Sequence, residues 1–194
     1  MDYSQPFGGL VPGPTGAVLS VLLRTSAPLT GRQVHRLAVG DFALSSIQHA
    51  LNTLIRLGLV NVTAAGRANL HTINPDHQGV EPLRALLDPL SALETVIEEA
   101  VDSDVHSVIL FGSIARGEAT QDSDVDLAVI AAPDWKGRVD LQEAVKRRLG
   151  NDCDVLVFTE TDYANSSEPV VSEIARDGVA LFGMKPSMAW AVAS

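Results

Sequence analysis

The chain is short of cysteine, of positive charge and of long apolar runs. Its one cysteine, Cys153, excludes an intramolecular disulfide and any cysteine-based zinc finger. No apolar run approaches the roughly 18–20 residues that span a bilayer. Met1-Asp2-Tyr3-Ser4-Gln5-Pro6 lacks the basic patch and apolar stretch of a signal peptide. A cytoplasmic protein with no membrane partner is therefore expected. Lys and Arg number 14 against 24 Asp and Glu, a net charge of −10, which argues against a chain built throughout to bind nucleic acid. What is present is a core: 46% of the 194 residues are hydrophobic, which excludes a wholly disordered chain and suits one large or two small domains.

The charge is unevenly spread. Residues 1–77 hold three acids (Asp2, Asp41, Asp76) against five arginines (Arg24, Arg32, Arg36, Arg56, Arg67), a balance of +2, and four of the five histidines. The remainder stands at −12. A basic front and an acidic back suggest two modules with different partners.

Residues 1–14, rich in Pro and Gly, read as extended. Ala17–Leu23 carries Leu and Val at helical spacing. Thr30-Gly31-Arg32-Gln33 reads as a capping box, in which the Thr30 hydroxyl and the Gln33 side chain each satisfy a free backbone N–H. Ser45-Ser46-Ile47-Gln48 offers a second box. Ile47, Leu51, Leu54 and Ile55 then form one apolar helix face, closed at Gly58. Leu59–Thr63 and Leu70–Ile73 are strand candidates around the turn 64–69.

Three helices followed by a hairpin, with the Leu29-Thr30-Gly31-Arg32-Gln33 run and the Leu57-Gly58-Leu59-Val60 helix exit, resemble the winged helix-turn-helix of bacterial regulators over roughly residues 15–75. Ser46, His49, Asn52, Thr53 and Arg56 fall opposite the apolar face, where Asn can read adenine edges and Arg can read guanine or hold phosphate. Arg67 at the hairpin tip is within reach of a phosphate or the minor groove. The partner so implied is double-stranded DNA. The competing expectation is a solvated helix face in a protein-interaction or dimerisation domain, since fold does not fix function.

Residues 78–104 read as a connecting helix, broken or kinked near Pro82 and Pro89 and strongly acidic at its end. Val105–Phe111 is a strand candidate rich in β-branched residues, broken sharply by Gly112-Ser113. A second strand is expected over Ser123–Ile130. Asp124 and Asp126 are two apart in it and share a face. Paired carboxylates repel unless a cation neutralises them, and hard oxygen ligands suit Mg²⁺, which keeps waters and also takes phosphate oxygens. The Gly112-Ser113 turn lets the backbone approach a ligand, and the first N–H groups of the following short helix and the Ser113 hydroxyl can cradle phosphate. Arg116, one turn on, can add charge or brace an acid. A third carboxylate should lie on a neighbouring strand. Asp154, near the start of Cys153–Phe158, is the choice, with Asp152 on the preceding turn as the alternative.

Phe111-Gly112-Ser113-Ile114-Ala115-Arg116-Gly117-Glu118, four further residues, then Ser123-Asp124-Val125-Asp126-Leu127 resembles the signature of the minimal nucleotidyltransferases of the polymerase-β-like superfamily. The similarity covers roughly 105–183. It implies an α/β (α+β) fold with a small mixed sheet, here expected with helices on one face. It also implies Mg²⁺-dependent transfer of a nucleoside monophosphate, usually AMP from ATP, with release of pyrophosphate. Carried over, Gly112 and Ser113 bind the nucleoside triphosphate, and Arg116, by its place one turn on, is counted with them. Asp124, Asp126 and Asp154 are the metal and catalytic residues, Asp154 aiding deprotonation of the acceptor hydroxyl. The acceptor is a protein or a small molecule; small relatives often act as antitoxins that modify a partner toxin. The other reading is a DNA-binding regulator whose nucleotidyltransferase-like domain senses nucleotide. The expected organisation is a winged helix-turn-helix domain over 1–77, a helical linker over 78–104 and a nucleotidyltransferase domain over 105–194. The linker and the apolar tail, with Met188, Trp190 and Val192, are candidate homodimer surfaces.

Overall fold

The computed structural model describes residues 1–186; the tail residues Met188, Trp190 and Val192 lie outside them. The chain divides into two units, one of residues 5–89 and one of residues 90–194 together with Met1–Ser4.

The first unit opens on a 3-10 turn, Pro6–Gly9, where an extended segment was expected. The cause is Phe7, which is wholly buried and adopts a positive φ of 59° to get there. Helix α1 (Gly13–Leu23) is buried nearly all round. A two-residue strand β1 (Leu29–Thr30) leads into α2 (Gly31–Leu37). The first capping box forms as expected: the Gln33 amide donates to Thr30 Oγ1 at 3.3 Å, and the Thr30 amide donates to Gln33 Oε1 at 2.8 Å. The second does not. Helix α3 (Leu44–Arg56) begins two residues earlier, capped by Ala43 without a side-chain bond, so Ser45 already lies inside its first turn. Ile47, Ala50, Leu51 and Leu54 form its buried face.

Strands β2 (Val60–Ala65) and β3 (Ala68–Ile73) pair antiparallel up to Ala65 opposite Ala68, leaving a turn of only Gly66 and Arg67. The hairpin is thus longer, and its turn tighter, than the residues suggested. Gly66 takes φ 61°, and glycine at that place is what a two-residue hairpin turn favours. β1 adds to the free edge of β3, giving the order β1-β3-β2. Helix α4 (Val80–Ala85) completes the unit.

The second unit starts with α5 (Pro89–Ala100), so residues 78–104 hold two helices rather than one, divided just before Pro89. Strand β4 (Val105–Phe111), the short helix α6 (Gly112–Ala115), strand β5 (Val125–Ala131), helix α7 (Arg138–Leu149), strand β6 (Cys153–Phe158), helices α8 (Glu160–Asn165) and α9 (Pro169–Asp177) and strand β7 (Val179–Gly183) follow. The sheet is mixed, in the order β6-β5-β4-β7. β5 and β6 are parallel, joined by the α7 crossover that parallel neighbours require; the other pairs are antiparallel.

Helices cover both faces of this sheet, not one. Val108, Leu110, Leu127, Val129 and Val155 pack with α5 and α7. Ile109, Phe111, Ala128 and Ile130 pack with Tyr163 of α8 and Val171 and Ile174 of α9. The reason is in the strands: Val108–Phe111 and Leu127–Ile130 are apolar without interruption, as strands buried on both faces must be. The N-terminal residues Met1–Ser4 belong to this unit. Buried Asn151 donates to the carbonyls of Met1 (3.0 Å) and Ser123 (3.3 Å), and Tyr3 packs against the α5–α7 core.

Candidate active site

The strand register puts two acids side by side. Asp126 on β5 is paired directly with Asp154 on parallel β6. By alternation both stand on the sheet face that carries Ala128, Ile130, Leu156 and Phe158, the face covered by α8 and α9. β5 begins at Val125, not Ser123, so Asp124 sits one residue before the strand and is exposed. Its approach is held by Asn151 on the Ser123 carbonyl and by the Val125 amide donating to the Asp152 carbonyl at 2.9 Å. The alternative acid, Asp152, is taken up by Lys146 at 2.7 Å. Asp124, Asp126 and Asp154 have no side-chain hydrogen bond or ion pair among the described residues.

Gly112 packs directly against Asp126. It takes φ 70°, and a Cβ placed on it would lie 2.1 Å from Asp126 Oδ2 and 2.9 Å from Asp126 Cγ. Glycine is needed here twice, for its backbone conformation and for the carboxylate pressed against it. Phe111, opposite Asp126 in the ladder, carries the chain into α6, and Ser113 follows, half-buried. The first amides of α6 have no acceptor within the helix.

Electrostatics mark Asp126 as the centre. Its partial burial pushes its pKa up, as do the charges of Asp154, Asp124 and Glu173; Arg116 alone acts the other way. A carboxylate in that setting gains from any cation brought to it. The donor set, all carboxylate oxygen, is that of a hard divalent ion rather than a soft one. Among the described residues no three His, Cys, Asp or Glu side chains lie close enough to hold a metal by themselves. Mg²⁺ characteristically needs only one or two protein carboxylates, with water and phosphate oxygens for the rest.

Arg116 closes the α6 turn, its amide donating to the Gly112 carbonyl at 3.2 Å. Its side chain pairs with Glu118 at 2.9 Å and with Glu173 of α9. Glu173 was invisible to motif reading, because 57 residues separate it from Arg116 and only the packing of α9 against α6 joins them. Cys153, next to Asp154, is buried, and burial pushes its thiol up to about 12, which leaves it a small hydrophobe. Tyr163 is buried edge-on against Phe158, ring centroids 5.9 Å apart, and is a packing residue.

In the first unit candidate DNA-contacting residues border two hollows. Asn52 and Arg67 line a cleft of about 680 Å³ between α3 and the hairpin, together with Arg32, Gln48, Asn69 and His71. No acid lines it. Ser46 and His49 face a separate hollow beside Thr15 of α1. Arg56 donates to Thr53 Oγ1 at 3.3 Å. Arg32 was missed because it sits on α2, outside the helix that the sequence singles out.

Residues 94–186 match the model of the polymerase beta nucleotidyltransferase family. No curated protein matches the chain. Among solved structures the chain is similar to a toxin–antitoxin complex with AMP-PNP, at 21% identity over 50% of this chain and 75% of that one, TM-score 0.41. It is also similar to a MntA–HepT toxin–antitoxin complex (20% identity, 49% and 70% covered, TM-score 0.35). A third is the tri-AMPylated Shewanella oneidensis HEPN toxin in complex with MNT antitoxin (19% identity, 49% and 73% covered, TM-score 0.34). No helix among the described residues is long and apolar enough to cross a membrane.

Proposed function

We propose that the second unit transfers a nucleoside monophosphate, AMP from ATP, to a hydroxyl of a protein or small molecule, using Mg²⁺. The observation that carries this reading is the packing of Gly112 directly onto the carboxylate of Asp126, itself in register with Asp154. A phosphate-cradling turn and an unneutralised acid pair are thereby built into one another. The family match over residues 94–186 supports the same reaction class.

In this reading Asp124, Asp126 and Asp154 would hold the metal jointly with water and phosphate oxygens, not by themselves. Mg²⁺ held there would supply charge neutralisation for the phosphates and would favour deprotonation of the attacking hydroxyl. The α6 amides and the Ser113 hydroxyl donate to phosphate oxygens, and Arg116 adds a positive charge. The acceptor oxygen forms a bond to the α-phosphorus as the α–β bridging P–O bond breaks. Pyrophosphate leaves, and the hydroxyl proton passes to Asp154. Fixed charges and positioning supply most of the rate enhancement for such a transfer. The test is equilibrium binding of ATP, GTP, CTP and UTP with Mg²⁺ and with EDTA. Metal-dependent binding with ATP preferred is expected; no binding of any triphosphate would sink the reading.

A second reading concerns the first unit alone. Its cleft gathers Arg32, Asn52 and Arg67 with no acid, in a half of the chain with a balance of +2. This supports duplex DNA as its partner, with the winged helix-turn-helix as its architecture, and so an autoregulatory module beside the transferase. Such binding must weaken steeply with salt. Arg32→Ala with Arg67→Ala should abolish it, and unchanged affinity in that variant would remove the reading.

A further inference from the structure

The Arg116 guanidinium is gripped from two sides. Its Nε donates to Glu118 Oε2 at 2.9 Å, and its Nη1 donates to Glu173 Oε1. Nη2, with two N–H donors, has no partner among the described residues. A guanidinium is a rigid planar fork, so two fixed edges determine where the third points. The fork stands one helical turn from Gly112, and the charges of both Arg116 and Glu173 are felt at Asp126. The two side chains are 35% and 33% exposed, a setting in which an ion pair contributes little to folding. Fold stability therefore leaves the arrangement largely unaccounted for.

We propose that Glu173 is a positioning residue of the nucleotide site: it fixes Arg116 so that Nη2 presents an N–H donor to a phosphate oxygen of the nucleotide held at Gly112–Ser113. The proposal rests on the nucleotidyl-transfer reading. It differs in sign from a plain charge effect. An extra carboxylate beside a polyanion repels it, so a Glu173 acting only through charge would weaken nucleotide binding, and its removal would tighten it. A positioning Glu173 does the reverse.

The experiment measures the Kd of Mg²⁺–ATP, and KM and kcat for transfer, in the full chain. The variants are Arg116→Ala, Arg116→Lys, Glu173→Ala and Glu173→Gln, each checked for an unchanged thermal transition. Loss of one aligned charge-assisted bond corresponds to a rise in Kd and KM of about tenfold in Arg116→Ala and Glu173→Ala, with kcat changed far less. Arg116→Lys keeps the charge but cannot bridge Glu173 and a phosphate as a fork does, so it should resemble Glu173→Ala. Glu173→Gln keeps an acceptor oxygen for Nη1 and should restore most of the loss. Wild-type affinity in Glu173→Ala, tighter binding in it, or equal loss in Glu173→Ala and Glu173→Gln would each overturn the positioning role. If instead Arg116→Ala binds as wild type does, Arg116 is no phosphate ligand and the proposal falls with it. A wild-type chain that binds no Mg²⁺–ATP would fail the transfer reading itself, a result distinct from the others. Should Glu173→Ala lose its fold, Arg116→Lys and Glu173→Gln carry the same discrimination.

Discussion

Gly112→Ala separates backbone strain from damage to the site, because the chain supplies its own control. Gly112 and Gly117 have nearly the same φ, 70° and 71°, but a Cβ on Gly117 meets nothing within 4 Å whereas one on Gly112 meets Asp126. Forcing alanine into the left-handed region costs about 1–2 kcal/mol at either position. At Gly112 the added methyl lies 2.1 Å from Asp126 Oδ2, so the Asp126 side chain must swing aside. That is a flexible group, and leaving its rotamer costs about 0.5–1.5 kcal/mol more. Gly117→Ala should therefore lose about 1–2 kcal/mol in urea unfolding and Gly112→Ala about 1.5–3.5 kcal/mol. Asp126→Ala removes the two atoms at 2.1 and 2.9 Å and leaves only Cβ at 3.3 Å. In a double-mutant cycle the increment specific to Gly112→Ala should then disappear, with a coupling of about 1 kcal/mol. Transfer responds more sharply, since displacement of a reacting group by about 1 Å costs about a hundredfold in rate. Additive costs for Gly112→Ala and Asp126→Ala, or transfer as fast in Gly112→Ala as in Gly117→Ala, would refute the reasoning.

Three further outcomes follow from the same contacts. Asp126 has a raised pKa in the folded chain, so the unfolded chain releases that proton first as pH rises and the folded state loses stability above the ordinary carboxylate value of 3.8. Asp126→Asn should accordingly raise Tm at pH 7 in EDTA and leave it unchanged at pH 3; a lower Tm at pH 7 would contradict this. The buried Cys153 thiol, pushed up to about 12, should react with a disulfide reagent only as fast as the chain unfolds, and rapid labelling of the native chain would show the site to be open. The buried Tyr163 hydroxyl has no hydrogen-bond partner among the described residues, so Tyr163→Phe should stabilise slightly, whereas Tyr163→Ala should cost about 3–5 kcal/mol, both read by urea unfolding.

What the sequence makes legible is local. The Gly112-Ser113 break after an apolar strand, the two-residue spacing of Asp124 and Asp126, and the Thr30–Gln33 box all lie within a few positions of one another. Asp154 is legible because strand alternation places it, and pairing with Asp126 follows from the parallel register. Strand β1 is not, since two residues form a strand only against a partner 40 positions away. The second capping box fails because a helix end is fixed to the residue, and α3 starts two positions earlier than its serines suggest. The helices on both faces of the main sheet are written in the unbroken apolar runs of β4 and β5, a signal carried by composition rather than by spacing. The grip of Glu173 on Arg116 has no sequence signal at all, being a product of where α9 lands.

The proposed transfer of a nucleoside monophosphate by Gly112, Ser113 and the three aspartates has a direct test. The most direct measurement incubates the chain with α-labelled ATP, Mg²⁺ and a lysate of its own cells, beside the Asp124→Asn/Asp126→Asn variant. A labelled species is expected, absent with the variant and absent in EDTA, whose identity names the acceptor. Binding of Mg²⁺–ATP without label on any species, or equal label from the variant, would contradict the proposed transfer.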